Sequence, residues 1–172
     1  MTGELAADYP GDLKFLNFLP KPIREARRPL LAILVGWLTA IIPSLALAWL
    51  IGMVAPDVPQ PQFDVKGLLA VFLLAVFSPV VESLIMGGFL LILLRFFSPP
   101  VAILASSIGW GIAHSSLAPT WGMVIWWPFL IFSTLFVTWR ERSLLAAFAM
   151  PMAVHAMQNL PSALVVAYGK PF

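Results

Sequence analysis

The chain has 172 residues, of which 60% are hydrophobic and 10% charged, with a mean hydropathy of +0.94 and a formal charge of +2. A soluble domain carries roughly 25% charged residues, so this composition excludes an ordinary soluble domain. Its apolar stretches exceed the ~20 residues that cross a hydrocarbon core. The absence of cysteine excludes disulfides, thiolate metal sites and thiol nucleophiles.

Residues 1–29 mix acids, bases and prolines with a small apolar group, Leu13, Phe15, Leu16, Phe18 and Leu19. Lys21, Arg24, Arg27 and Arg28 follow at once. The segment reads either as an interfacial stretch with a basic collar or as an unstructured tail. It has no short apolar core of the signal-peptide kind. Residues 30–172 then read as one transmembrane helical domain, with spans at about 30–54, 67–97, 101–117, 121–139 and 144–168. The second is longer than a perpendicular crossing needs, so it is expected to tilt or protrude. Ser98, Pro99 and Pro100 end it, and Arg140, Glu141 and Arg142 form a tight charged turn before the fifth. The expected fold is an all-α membrane protein, a bundle of about five transmembrane helices with an N-terminal interfacial segment.

Five spans put Lys14, Lys21, Arg24, Arg27, Arg28, Arg95, Arg140 and Arg142 on one side, and Lys66 and Lys170 on the other. Positive residues favour the cytoplasm. The N-terminus is therefore expected inside and the C-terminus on the opposite side, in a membrane of the bacterial inner-membrane type. Membrane lipids account for the basic residues at helix ends, and no nucleic-acid partner is implied.

Ionisable residues are few inside the apolar spans: Glu82 in the second, His114 in the third and His155 in the fifth. Each is costly in lipid, which predicts that they share one polar cavity. Asn159 follows His155 by four residues and projects from the same helix face, while Trp110 precedes His114 by the same step. Pro79 and Pro151 lie just before Glu82 and His155. Each is expected to deprive the carbonyl four residues earlier, Ala75 or Ala147, of its helical partner.

Such a set suits hydrolysis. A Glu and a His can hold and deprotonate a water, and a second His with an Asn amide can donate to an oxyanion. No Ser or Cys nucleophile stands on a recognisable elbow, and there is no HExxH. Two His and one Glu can ligate zinc, but their spacing matches no zinc signature, and no cofactor is expected. The same residues also suit a polar network that merely holds a bundle together. A proton-relaying transporter is a third reading, for which a five-helix unit without repeats is small.

In this order the residues resemble three motifs of the CPBP (CAAX protease and bacteriocin-processing) family. A helix reading roughly Pro-x-x-Glu-Glu-x-x-x-Arg-Gly stands here as Pro79-Val80-Val81-Glu82-Ser83-Leu84-Ile85-Met86-Gly87-Gly88. An aromatic residue ahead of a His stands as Trp110 and His114, and His-x-x-x-Asn as His155 to Asn159. The resemblance implies an intramembrane endopeptidase acting on a membrane-associated peptide. Glu82 would be the water-activating base, His114 its assistant, and His155 and Asn159 the oxyanion donors. Two positions depart from the pattern, Ser83 for the second Glu and Gly87 for the Arg. Four residues apart, those two would form an intrahelical ion pair, so their joint replacement reads as one coupled change sparing the other four. The alternative implied by the altered motif is an inactive relative acting as an accessory or assembly subunit of a larger membrane complex.

Overall fold

The computed structural model describes residues 15–169, and every regular element among them is helical. A short helix α1 (Lys21–Arg24) precedes α2 (Pro29–Val54). A continuous helical run then comprises α3 (Gly67–Phe72), a π-helical turn (Leu73–Phe77) and α4 (Ser78–Leu93). Three more helices follow: α5 (Pro99–Ser115), α6 (Trp121–Trp139) and α7 (Leu144–Tyr168). Three stretches are long and apolar enough to cross a membrane, namely Pro29–Val54, Gly67–Leu93 and Trp121–Trp139. These apolar helices, the first two with large hydrophobic side chains exposed along their outer faces, make this an integral membrane protein.

The second helix stops at Leu93, short of the expected residue 97. Ser98 must be extended to enter Pro99, and Leu94–Phe97 turn ahead of it through bonds such as Phe97 N–H to Leu93 O at 2.9 Å. Pro99 and Pro100 begin α5 rather than lying before it. In the first turn their missing N–H groups cost nothing.

α6 is the axis of the bundle. It is apolar on all sides, and Pro128 to Trp139 are buried without interruption, as expected of a helix enclosed by others. α2 meets it through small residues four apart, Ala32, Gly36, Ala40 and Ser44. A Cβ at Gly36 would sit 3.2 Å from Leu135 and 3.3 Å from Val154, so this stripe brings α2 close to both α6 and α7. Leu30, Leu34, Leu38, Ile42 and Trp49 face outward. Small-residue contacts suit a membrane, where helix association relies on close packing rather than on expelling water. Gly111 of α5 and Gly122 of α6 make the tightest crossing. A Cβ on Gly122 would collide with the Gly111 carbonyl and the Ser115 hydroxyl, and that approach fixes the C-terminal end of α5.

The N-terminal segment is docked on the bundle from Leu16 onward. Leu16, Leu19 and Ile23 are buried in the main core cluster, while Phe15 and Phe18 remain exposed. Leu13 and Lys14 lie outside the described residues. Arg24 caps the turn through Leu19 O at 2.8 Å, and Arg142 reaches Ala26 O at 2.5 Å. That second bond joins the N-terminal segment to the α6–α7 turn at one end of the bundle.

Pro43 interrupts α2, and the carbonyl four residues before it, Thr39, accepts the Trp127 indole N–H of α6 at 2.8 Å. Without water, a carbonyl freed by proline must find a donor on a neighbouring helix. The Trp127 bond is expected to contribute about 1 kcal/mol. Trp127→Phe should lower the thermal midpoint in detergent, and Pro43→Ala, which restores a backbone N–H, should abolish most of that loss. Additive losses in the double-mutant cycle would show that the bond does not answer the proline. Gly122→Ala should cost about 1–3 kcal/mol by forcing α5 from α6. Gly88→Ala, whose Cβ meets nothing within 4 Å, should cost none, and equal thermal midpoints for the two variants would contradict the close-crossing account.

Candidate active site

Glu82 points from the second turn of α4 into the bundle. Its Oε1 accepts a hydrogen bond from the Ser78 hydroxyl, one turn earlier. Its Oε2 faces two imidazoles, lying 3.8 Å from His114 Nε2 and 3.8 Å from His155 Nε2. Three residues far apart in sequence thus converge on one carboxylate oxygen. Both separations exceed a direct hydrogen bond. Side-chain exposure is 21% for Glu82, 11% for His114 and 4% for His155, so the group is largely enclosed.

Each ring is held from behind. His114 Nδ1 lies 2.8 Å from the Trp110 carbonyl. A carbonyl only accepts, so Nδ1 carries a proton, and in its neutral form the ring would present a bare Nε2 to Glu82. Trp121 packs edge-on to the His114 ring at 4.7 Å, and Phe63 packs edge-on to Trp121 at 6.0 Å. His155 is stacked by Phe132 at 4.6 Å and met edge-on by Phe129 at 5.4 Å. Phe129 also lies 5.6 Å from His114, so one phenyl ring abuts both imidazoles. The Gly111–Gly122 crossing brings the end of α5 that bears His114 against the start of α6 that bears Trp121.

Asn159 lines the same cavity, and its Nδ2 donates to the Leu74 carbonyl at 3.1 Å. The expected carbonyl, Ala75, presumes an α-helical register before Pro79. The chain instead makes a π-helical turn over Leu73–Phe77, closed by Ser78 N–H on Leu73 O. In that register Pro79 faces Leu74, five residues earlier, and has no N–H to give it. Asn159 supplies the donor and ties α7 to the turn that precedes Glu82. An amide NH₂ carries two hydrogens, so the second remains for another acceptor.

All four residues singled out in the sequence therefore line one cavity of about 310 Å³. Its apolar walls include Ile41, Leu45 and Ile51 of α2 with Phe129 and Phe132 of α6, and its rim includes Gln60, Pro61 and Phe63 of the α2–α3 loop. Among the described residues no three His, Asp or Glu side chains are grouped to hold a metal ion.

Sequence reasoning missed Ser78, Trp121, Phe129 and Phe132. Only Ser78 left a usable signal, its spacing of four residues from Glu82. Ser83, first read as part of a lost ion pair, is fully buried, and its Oγ lies 3.5 Å from His155 Nδ1. At Gly87, the other altered position, a Cβ would collide with the Phe148 and Phe136 rings. Those rings pack edge-on at 5.1 Å. An aromatic contact thus occupies the space toward which any side chain at position 87 would project.

The family model for the type II CAAX prenyl endopeptidase Rce1-like proteins matches residues 64–161, more than half of the 172-residue chain. That stretch contains Glu82, His114, His155 and Asn159. No curated protein and no solved structure gives a match.

Proposed function

We propose that this chain, which belongs to the Rce1-like family of type II CAAX prenyl endopeptidases, hydrolyses a peptide bond in a membrane-associated peptide. The observation that carries the reading is the convergence of His114 Nε2 and His155 Nε2 on Glu82 Oε2, each at 3.8 Å, inside the cavity. A water donating to Glu82 Oε2 and to the bare His114 Nε2 would turn its lone pairs toward a substrate carbonyl. Its oxygen bonds to the carbonyl carbon as one proton passes to Glu82. The developing oxyanion takes hydrogen bonds from His155 and from the free amide hydrogen of Asn159. Collapse breaks the C–N bond, and the proton held by Glu82 goes to the leaving nitrogen. Fixed donors in an enclosed apolar site act more strongly than they would in water. Ser78, bonded to Glu82 Oε1, keeps the other oxygen facing the two rings.

An accessory-subunit role is the less favoured reading, since the family whose model the chain matches is one of endopeptidases.

Five crossings, by α2, the α3–α4 run, α5, α6 and α7, account for the charge distribution. Arg95, Arg140 and Arg142 lie at the end of the bundle to which Arg142 ties Ala26. The cavity rim lies at the other end, with Lys66 and the α2–α3 loop. By the charge rule the N-terminus is cytoplasmic and the cavity opens toward the opposite face.

Two measurements test these readings. The wild-type chain, reconstituted in vesicles with a farnesylated C-terminal peptide and with unmodified membrane peptides, should cleave at least one of them. Glu82→Gln should lose about 10²–10⁴-fold in rate while keeping its thermal midpoint. Cleavage that survives this change would remove Glu82 from the chemistry. Because the chain has no cysteine, single-cysteine variants report topology without background. Asp57→Cys should react with a membrane-impermeant maleimide on intact cells, and Glu141→Cys only after lysis. The reverse pattern would invert the assignment.

A further inference from the structure

Several hydroxyls along these helices bond back to their own backbone, whereas Ser83, like Ser133 on Ser106 Oγ at 3.0 Å, meets a side chain of another helix. Ser44 donates to Ala40 O at 2.8 Å, Thr134 to Leu130 O at 2.7 Å and Ser107 to Leu104 O at 3.0 Å. Each follows the usual habit of bonding back to a carbonyl of its own helix. Ser83 is fully buried, and its hydroxyl has the His155 Nδ1 as its partner, 3.5 Å away and 72 residues along the chain. The imidazole cannot turn to choose otherwise, because Phe132 stacks on its face and Phe129 meets it from the side. Its nitrogens are therefore assigned, Nδ1 to a hydroxyl and Nε2 to the Glu82 carboxylate.

We propose that Ser83 is a positioning residue that holds His155 as the neutral tautomer protonated on Nε2. The argument is one of donors and acceptors. An ionised carboxylate only accepts and His114 already turns an acceptor toward it, so the remaining nitrogen at the cavity, His155 Nε2, is best filled by an N–H. A neutral imidazole then has a lone pair on Nδ1, which needs a donor, and the Ser83 O–H supplies it. The opposite tautomer would leave the carboxylate and both imidazoles as acceptors, with no ring donor at the cavity. His114 provides the contrast. Its Nδ1 faces the Trp110 carbonyl, which accepts, so its Nε2 is bare. Two imidazoles at equal distance from one carboxylate oxygen thus carry opposite tautomers, one ring accepting and the other donating at the cavity.

This assignment also gives a function to the departure at position 83. A carboxylate there would accept from Nδ1 and favour a proton on that nitrogen. A hydroxyl donates to Nδ1 and leaves the proton on Nε2, toward the cavity. The consequence for turnover rests on the hydrolytic reading, whereas the tautomer itself does not.

The chain has two histidines, so histidine-selective ¹⁵N labelling of the full protein in bilayers gives two imidazoles, assigned with His114→Asn. The wild type should show His114 protonated on Nδ1 and His155 on Nε2. Ser83→Ala should convert His155 to a mixture of tautomers without changing His114, and Ser83→Thr, which keeps the hydroxyl, should restore the single form. In the cleavage assay Ser83→Ala should lower kcat by about tenfold with KM unchanged. A wild-type His155 protonated on Nδ1, or one unchanged in Ser83→Ala, would overturn the proposal, as would an unchanged kcat. Failure of hydrolysis itself appears separately, as absence of cleavage by the wild type with the tautomer pattern intact.

Discussion

A proline inside an apolar helix opens a backbone carbonyl where no water can satisfy it, and the arrangement of this bundle follows from how such carbonyls are answered. Trp127 of α6 donates to Thr39 O, four residues before Pro43, and so sets α6 against α2. Asn159 of α7 donates to Leu74 O, five residues before Pro79, and so sets α7 against the π-helical turn. Each bond joins helices distant in sequence and fixes their relative depth. Close packing then completes the assembly, through the small-residue face of α2 and the Gly111–Gly122 crossing. Polar bonds set the register, and missing side chains permit the approach.

The candidate site depends on that register. Glu82 lies just past Pro79 and Ser78, so the turn pinned by Asn159 also aims the carboxylate. The glycine crossing places the end of α5 that carries His114 beside Trp121. Phe129 and Phe132 of the enclosed α6 hold the rings in place. Polar groups at this depth are costly to insert, and the structure offsets that cost by giving most of them a partner: Ser78 for Glu82, Trp110 O for His114, Ser83 for His155 and Leu74 O for Asn159. The network that makes the cavity tolerable in a membrane also fixes the orientation of its polar groups, in keeping with membership of an endopeptidase family.

The two departures from the motif have separate physical outcomes. At position 87 the absence of a side chain admits Phe148 and Phe136, so a polar pair has given way to an aromatic contact among α4, α6 and α7. At position 83 the smaller residue stays polar and faces His155. Reading them as one coupled loss is sound for charge, since removing both ends of an ion pair strands neither. It misses that one of the two positions retains a hydrogen-bonding role.

Glu82, His114, His155 and Asn159 were legible in the sequence because an ionisable or amide side chain within apolar residues needs a reason, and spacing by four put His155 and Asn159 on one face. The helix bounds were legible wherever proline, charge or the end of an apolar run marks them, as at Trp121–Trp139 and Leu144–Tyr168. Ser78 and Ser83 were not, since a serine in a helix can satisfy itself on its own backbone, and only the position of a neighbouring helix decides otherwise. The carbonyl freed by Pro79 was misplaced by one residue, because a π-helical turn leaves no pattern in composition. Phe129, Phe132 and Trp127 were hidden among many aromatics. The sequence by itself determined that this chain is a helical membrane protein with a few costly polar residues in a fixed order, because transfer free energy depends on residue type alone. Only the tertiary structure decided which oxygen both imidazoles face and which carbonyl each donor answers, because those depend on distances between helices that residue type does not encode.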